Sequence, residues 1–336
     1  MTKIVVFGEI LARFSTKQGE RLAQAKQLQL NYGGAEANVA ISLAQFGHEA
    51  LFVSKLPDHA LGKGVTHYLK SLNVSTAAIQ YGGERLGTYY LEVGAGNRGS
   101  QVVYDRKFSS FSSLTTEELD HDAIFENAYL LHVTGITPAL SSDMVKVVEH
   151  LFSEAKSRGV RISFDFNYRA KLWSQKQAGT VFKRLLPYID ICSCGELDLI
   201  YLLDYPKLAD ELSHEEKLRQ YYRQLKNDYP NLKWCMSTQR ENISASQNRL
   251  TGYLYADDTL YQSEVYHIDH IIDRVGGGDA FVAGILHGLI NKWKFDTIVS
   301  FATAASVLKH TVYGDANLVT EAEVINMLSH GHQISR

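Results

Sequence analysis

Short apolar runs alternate with longer segments of helical period along most of this chain, and that alternation limits its fold more than any other feature. The runs are Ile4–Phe7, Ala50–Ser54, Tyr129–Val133, Val160–Phe164, Tyr188–Cys192 and Trp234–Met236. Between them lie Ala35–Phe46, Ser141–Arg158, Ser174–Leu186 and His214–Asp228, periodic as amphipathic helices are. Repeated strand–helix units build an α/β, Rossmann-like fold, a mainly parallel sheet flanked by helices. Two more helices are expected late in the chain. One starts near Asp279 and carries Phe281, Ile285 and Leu289 on one face; the next follows Asp296 and carries Ile298, Phe301, Ala305 and Leu308.

One region departs from the alternation. Gly82 to Arg106 has no helical period, and Thr88–Val93 and Gln101–Arg106 read as the strands of a hairpin. Residues 12–32 are also irregular. With 82–106 they are expected to form a small β-sheet lid on a single domain spanning 1–336, a length long for one compact domain and short for two full ones. The formal net charge of −3 gives no footprint for nucleic acid or an anionic membrane. No apolar run reaches the length of a membrane span. Lys3-Ile-Val-Val-Phe7 enters a strand-like run without a signal-peptide layout. Cys192, Cys194 and Cys235 are too few for a disulfide framework and lack neighbouring ligands for a metal. Free buried thiols in a reducing cytoplasm are the expectation.

The strongest chemical signal is Ile271-Ile-Asp-Arg-Val-Gly-Gly-Gly-Asp-Ala-Phe-Val-Ala-Gly284. A short strand leads into Gly276, Gly277 and Gly278, and a helix follows at once. Glycines let backbone N–H groups approach a ligand, and a helix N-terminus adds partial positive charge, so the turn suits an anion. Asp279 would lie beside a phosphate bound there and accept a proton from an attacking hydroxyl. The helix end is expected to keep it ionised and hence a weak base, which a loose phosphoryl-transfer transition state tolerates. Spacing alone also admits, as the lesser reading, a glycine turn with Asp279 as a helix cap. The segment is neither a dinucleotide fingerprint nor a Walker A loop.

Two more segments carry chemistry. In Asn31-Tyr-Gly-Gly-Ala-Glu-Ala-Asn-Val-Ala-Ile41, Gly33 and Gly34 precede a helix, and Asn38 lies one turn in, placed to bond a polyol hydroxyl; a turn before a packing helix reads the same. Phe164-Asp-Phe-Asn-Tyr-Arg-Ala-Lys-Leu-Trp173 follows a strand, where α/β sheets place ligands. Its Asp165, Asn167, Arg169 and Lys171 would be costly to bury for structure alone, though a solvated loop anchored by Trp173 is the plainer reading.

Together these segments resemble the ribokinase-like (PfkB) carbohydrate kinase family over essentially the whole chain. Gly33-Gly34 with Asn38 matches its first motif, and Asp273-Arg-Val-Gly-Gly-Gly-Asp279 its second. Within the family the chain is most similar to 2-keto-3-deoxygluconate kinases, through Phe7–Arg13, Asn31–Asn38, Thr88–Glu92, Tyr104–Arg106, Thr134–Leu140 and Asp165–Trp173. The resemblance implies ATP and Mg²⁺ as cofactors and admits a monovalent cation. It puts Arg106, Arg169, Tyr89 and Tyr104 near the substrate, and Asn167, Arg169, Ser237, Arg240, Gly276 and Gly278 near ATP. It also implies a lid through which a homo-oligomer can form. The family's Asn-x-x-Glu motif is replaced by Cys194-Gly-Glu-Leu-Asp198, where Glu196 is the candidate for ordering magnesium and Asp198 the alternative. The place of a glycine-rich ATP loop reads Ser237-Thr-Gln-Arg-Glu-Asn242.

A sugar acid brings a carboxylate, best matched by arginine. Arg106 and Arg169, with Arg13 in a segment where neutral-sugar kinases usually carry an acid, therefore favour an anionic acceptor over surface ion pairing. The expected activity is phosphorylation of the terminal hydroxyl of 2-keto-3-deoxygluconate, with Asp279 as base and the N–H groups of Gly276, Gly277 and Gly278 holding the phosphoryl charge. A neutral-sugar kinase for fructose or ribose, and a kinase-like binding protein without catalysis, are the rival readings.

Overall fold

The computed structural model describes residues 2–330. Its strands are β1 (Lys3–Phe7), β2 (Leu11–Ser15), β3 (Gln29–Gly33), β4 (Glu49–Leu56), β5 (Ile79–Tyr81), β6 (Thr88–Glu92), β7 (Gln101–Asp105), β8 (Ala128–Thr134), β9 (Arg161–Asp165), β10 (Ile191–Ser193), β11 (Trp234–Asn242), β12 (Asn248–Ala256), β13 (Thr259–Gln262) and β14 (Tyr266–Ile268). Ten form one sheet in the order β13-β12-β11-β10-β9-β8-β1-β4-β5, with β14 also on β12. From β11 to β5 every pairing is parallel; β12 joins β11, β13 and β14 antiparallel. The α/β architecture expected from the alternation is therefore present.

The period of two along a strand explains the layering. On β1, Val5 and Phe7 enter the apolar cluster that holds Phe152, Phe164 and Phe182. Ile4 and Val6 enter the opposite cluster, with Phe52, Phe281 and Phe301. Both faces of the strand are buried, so it reads as a continuous apolar run. Sheet order reverses between β1 and β8: the chain proceeds outward through β4 and β5 on one side and through β9, β10 and β11 on the other. Such a switch point leaves a crevice outside the strands' carboxyl ends.

A separate four-stranded sheet has the order β3-β2-β6-β7. The hairpin expected from Gly82–Arg106 corresponds to β6 and β7, and residues 12–32 contribute β2 and β3. Its own buried cluster is small, formed by Leu11, Tyr89 and Leu91.

Several elements were not legible. Strands β5 and β12 to β14 and the helix Ala60–Ser71 were unforeseen. Gly252 weakens the strand signal of β12, where Thr303 and the Phe281 ring leave no room for a Cβ, and Gly62 and Gly64 dilute the helical signal of Ala60–Ser71. β11 runs past Met236 to Asn242, and the strand expected at Tyr188–Cys192 begins only at Ile191, after a 3₁₀ turn at Leu186–Tyr188. Among the described residues no helix is long and apolar enough to cross a membrane. The three cysteines are free and buried.

Candidate active site

The glycine turn expected to bind an anion caps the helix Gly277–Ile290. Gly276 is its N-cap in the left-handed region, φ 81°, and a side chain there would meet the Asp315 carbonyl. A Cβ on Gly277 would press on the His310 ring, 2.6 Å away. A Cβ on Gly278 would meet nothing within 4 Å. Fold therefore demands the first two glycines, while the third faces open space. No side chain caps this helix, so its first-turn N–H groups lack an intrahelical partner and can serve a ligand.

Two cavities meet at this turn. The first, about 330 Å³, gathers Gly33, Gly34, Asn38, Tyr89, Tyr104, Arg106, Asn167, Arg169, Arg240, Gly276, Gly277, Gly278 and Asp279. Of the residues singled out from the sequence for a role at the site, Arg13, Lys171, Glu196, Asp198 and Ser237 do not line it. The second, about 320 Å³, contains Ser237, Thr238, Cys194 and Asp198. They share Asp165, Asn167, Arg169 and Gly278. Both open at the carboxyl end of the parallel strands, the second sheet supplying Tyr89 and Tyr104 from β6 and β7.

Asp279 is half-buried in the first cavity. Asn38 Nδ2 donates to its Oδ2 at 2.7 Å. The amide expected to bond a sugar hydroxyl thus holds the carboxylate. Burial pushes Asp279 up to about 7, with the Asn38 bond opposing and the charge of Asp165 reinforcing the shift. This corrects the expectation of a strongly ionised, weak base: desolvation outweighs the helix terminus. Asp165 is also pushed up to about 7 by burial, with Arg169 opposing and Asp198 adding to it.

Three acids at the site carried no clear sequence signal. Glu36 is buried, and its Oε1 accepts from Thr134 N at 3.1 Å, Thr134 Oγ1 at 2.8 Å and Thr137 Oγ1 at 2.7 Å. Burial raises its pKa despite these bonds. Glu9 accepts from Arg106 Nε at 2.8 Å, from Arg106 Nη2 and from Ser109 Oγ. Asp315 accepts from Arg13 Nη1 at 2.7 Å and from the Tyr89 hydroxyl.

The arginines divide into two sets. Arg13 does not face the first cavity: it is 3% exposed and bridges Asp315 and Asp273, the latter at 2.6 Å. Its expected place beside an anionic ligand is therefore wrong, since two buried carboxylates already neutralise it. Arg106 lines the cavity but shares its charge with Glu9. Arg169 bonds only the carbonyls of Asn167 and Tyr168, and Arg274 only those of Ser244 and Ala245. Arg240 keeps contact with solvent, yet burial and then the charge of Arg274 lower its pKa. Arg169, Arg240 and Arg274 bond no carboxylate among the described residues, so the cavity is prepared for an anion.

Two expectations around the nucleotide need adjustment. Glu196 lines neither cavity; its carboxylate lies 3.3 Å from His214 Nδ1. Position explains this: at the first turn of the helix Glu196–Leu203 it points away, while Asp198 caps Gly195 N at 2.9 Å and opens onto the second cavity. The stretch Ser237–Asn242 is split between the cavities, with Ser237 in the second, bonded by the Tyr222 hydroxyl at 2.8 Å, and Arg240 in the first.

Known proteins place this geometry in context. The 2-dehydro-3-deoxygalactonokinase of Haloferax volcanii is 33% identical over 333 residues, 98% of this chain and 97% of that protein. The crystal structure of a PfkB family carbohydrate kinase from Listeria grayi is 39% identical with a TM-score of 0.92, covering 97% of this chain and 99% of the other. That of 2-dehydro-3-deoxygluconokinase from Thermotoga maritima is 36% identical with a TM-score of 0.94, covering 98% and 100%. The family model described as pfkB family carbohydrate kinase matches residues 1–322, and the chain belongs to that family of carbohydrate kinases.

Proposed function

We propose that this carbohydrate kinase transfers the γ-phosphoryl group of ATP to the terminal hydroxyl of a 2-keto-3-deoxy sugar acid, 2-keto-3-deoxygluconate first among them. The observation that carries the reading is the junction of two cavities at Gly278, Asp165, Asn167 and Arg169, with Asp279 beside it. The first cavity would hold the acceptor and the second the nucleotide. The acceptor's terminal hydroxyl would lie against Asp279, which takes its proton as the oxygen bonds to the γ-phosphorus and the ADP oxygen leaves. A carboxyl near pH 7 suits that task better than one of ordinary acidity. The N–H groups of the uncapped turn would hold the charge on the equatorial oxygens.

Acceptor choice rests on Arg169, Arg240 and Arg274, which lack carboxylate partners, and on the acceptors in the names of the Haloferax and Thermotoga relatives, where 2-dehydro denotes the same ketone. Arg106 contributes less than its sequence suggested, because Glu9 is its counter-ion. Asp165 and Asp198, close enough for one to raise the other's pKa, fit a Mg²⁺ ion held mainly by nucleotide phosphates. That ion would neutralise phosphate charge. The sheet β3-β2-β6-β7 would close over the acceptor as a lid and exclude water. The exposed Val103 and Tyr104 of β7 are the surface proposed for a second subunit; a monomer by sedimentation at micromolar concentration would remove that element.

The test is a coupled ADP-release assay with Mg·ATP and 2-keto-3-deoxygluconate, 2-keto-3-deoxygalactonate, fructose or ribose at equal concentration. Turnover confined to the sugar acids is expected. Turnover on fructose or ribose alone would overturn the acceptor assignment while leaving the kinase intact.

A further inference from the structure

Lys309 is the last residue of the helix Phe295–Lys309 and is fully buried. Its Nζ donates to the carbonyls of Asp273 and Val312, each at 3.2 Å. Among the described residues no carboxylate forms an ion pair with it. Taking an ammonium out of water costs several kcal/mol, and a methionine of similar length would fill the space without that cost. The charge therefore calls for a role.

The surroundings supply one. Asp273 opens the segment that ends in the glycine turn, and its carboxylate is fully engaged by Val275 N, Gly314 N and Arg13. The backbone carbonyl of Asp273 is left to Lys309. One turn earlier on the same helix, Ser306 Oγ donates to Gly277 O at 2.7 Å. The helix C-terminus thus grips the turn at both ends, at Asp273 and at Gly277. Carbonyl oxygens converging in a buried space are the ligands a monovalent cation takes. Burial brings the lysine down to about 8, with Arg13 adding to that, while the charges of Asp273, Asp315 and Asp279 oppose it and the helix end favours a cation, so the ammonium form holds at neutral pH.

We propose that Lys309 is a positioning residue that serves as a tethered monovalent cation: its ammonium occupies a carbonyl site beneath the glycine turn, so the kinase needs no dissolved potassium or ammonium. This rests on the turn's role in phosphoryl transfer and not on which acceptor is used.

The experiment compares the full chain and Lys309→Ala in tetramethylammonium, potassium and ammonium chloride at equal ionic strength. Readouts are ADP release with 2-keto-3-deoxygluconate and the melting temperature. Wild-type rates within about twofold across the salts are expected. Lys309→Ala should lose about tenfold or more in kcat in tetramethylammonium, with little change in acceptor KM, as a displaced turn would. Potassium or ammonium should restore most of that loss and raise its melting temperature, whereas the wild-type melting temperature should respond equally to all three salts. Lys309→Met should fold at least as well as the wild type, turn over slowly and respond to no cation, since its side chain fills the site. Potassium activation of the wild type, a folded Lys309→Ala with neither loss nor recovery, or wild-type turnover by Lys309→Met would each overturn the proposal. If Lys309→Ala does not fold in any salt, Lys309→Met and the wild-type salt response decide. If the wild type does not act on 2-keto-3-deoxygluconate, the melting temperatures decide alone: salt-specific stabilisation of Lys309→Ala supports the proposal, and its absence overturns it.

Discussion

The two cavities differ in how they are built. The first is held by side chains bonded to one another across the whole fold: Asn38 to Asp279, Thr134 and Thr137 to Glu36, Arg106 to Glu9, and Tyr89 and Arg13 to Asp315. The second gathers small residues at the strand ends, Ser193, Gly195, Ser237 and Thr238, beside the charged Asp165, Arg169 and Asp198. A network that fixes its donors in advance discriminates an acceptor, whereas a site of small residues and a few charges depends mainly on those charges. The first cavity should therefore answer to single side-chain changes and the second mainly to its charges.

Asp279→Asn should have the largest effect. Turnover should fall by about 10²–10⁴-fold, the range for a general base, while ATP binding persists because the glycine turn is intact. Loss of ATP affinity equal to the loss of turnover would break the division between the cavities. Gly278→Ala sharpens it differently. Its Cβ would enter open space at the junction, so the chain should fold and even gain up to about 1 kcal/mol from helix propensity. Turnover should nonetheless drop about tenfold or more as the phosphoryl group is crowded. Wild-type turnover would mean that the junction is not where transfer occurs.

Smaller effects are expected on the nucleotide side. Asp198→Asn should raise the Mg²⁺ concentration needed for half-maximal rate, and Glu196→Gln should leave it unchanged, because only Asp198 opens onto the cavity. The reverse order would restore Glu196 to the role its sequence position suggested.

The smallest effect concerns stability. With its pKa raised to about 7, the folded Asp279 keeps a proton that the unfolded chain has released. Its contribution to stability is full below the ordinary carboxylate range and is lost as pH rises through about 7. Asp279→Asn should melt above the wild type at pH 8 and lose less stability between about pH 4 and 7. Asp165, shifted in the same direction, retains part of the slope in both chains. An Asp279→Asn chain that melts below the wild type at pH 8 would contradict the assigned burial cost.

The difference between the cavities also explains what the sequence could tell. Gly276, Gly277, Gly278 and Asp279 were legible because a helix N-terminus and its anion site are local, contained in one short segment. Asn38 was legible as a site residue, but its partner was not, because Asp279 lies 241 positions away. Arg13 shows the same limit more sharply. Its charge was visible and its two partners, 260 and 302 positions distant, were not, so a buried structural ion pair read as a ligand-binding arginine. Asp315 sits in a loop without glycine-rich or periodic signals, and only the packing of that loop against Gly33 and Gly276 brings it to the cavity. The central parallel strands were plain because burial on both faces makes them continuous apolar runs, whereas β5 at one end of the sheet and β12 to β14 at its antiparallel end carry mixed patterns.

The most direct test of the account is the pH dependence of kcat/KM for the sugar acid, measured side by side in the wild type and in Asp279→Asn at saturating Mg·ATP. The account predicts a wild-type rate that climbs through about pH 7 as the buried carboxyl loses its proton, and a much lower, flatter profile in the variant. A wild-type profile already level from about pH 5.5 upward, or a variant that keeps the same rise, would show that the proton goes elsewhere and that Asp279 is not the base.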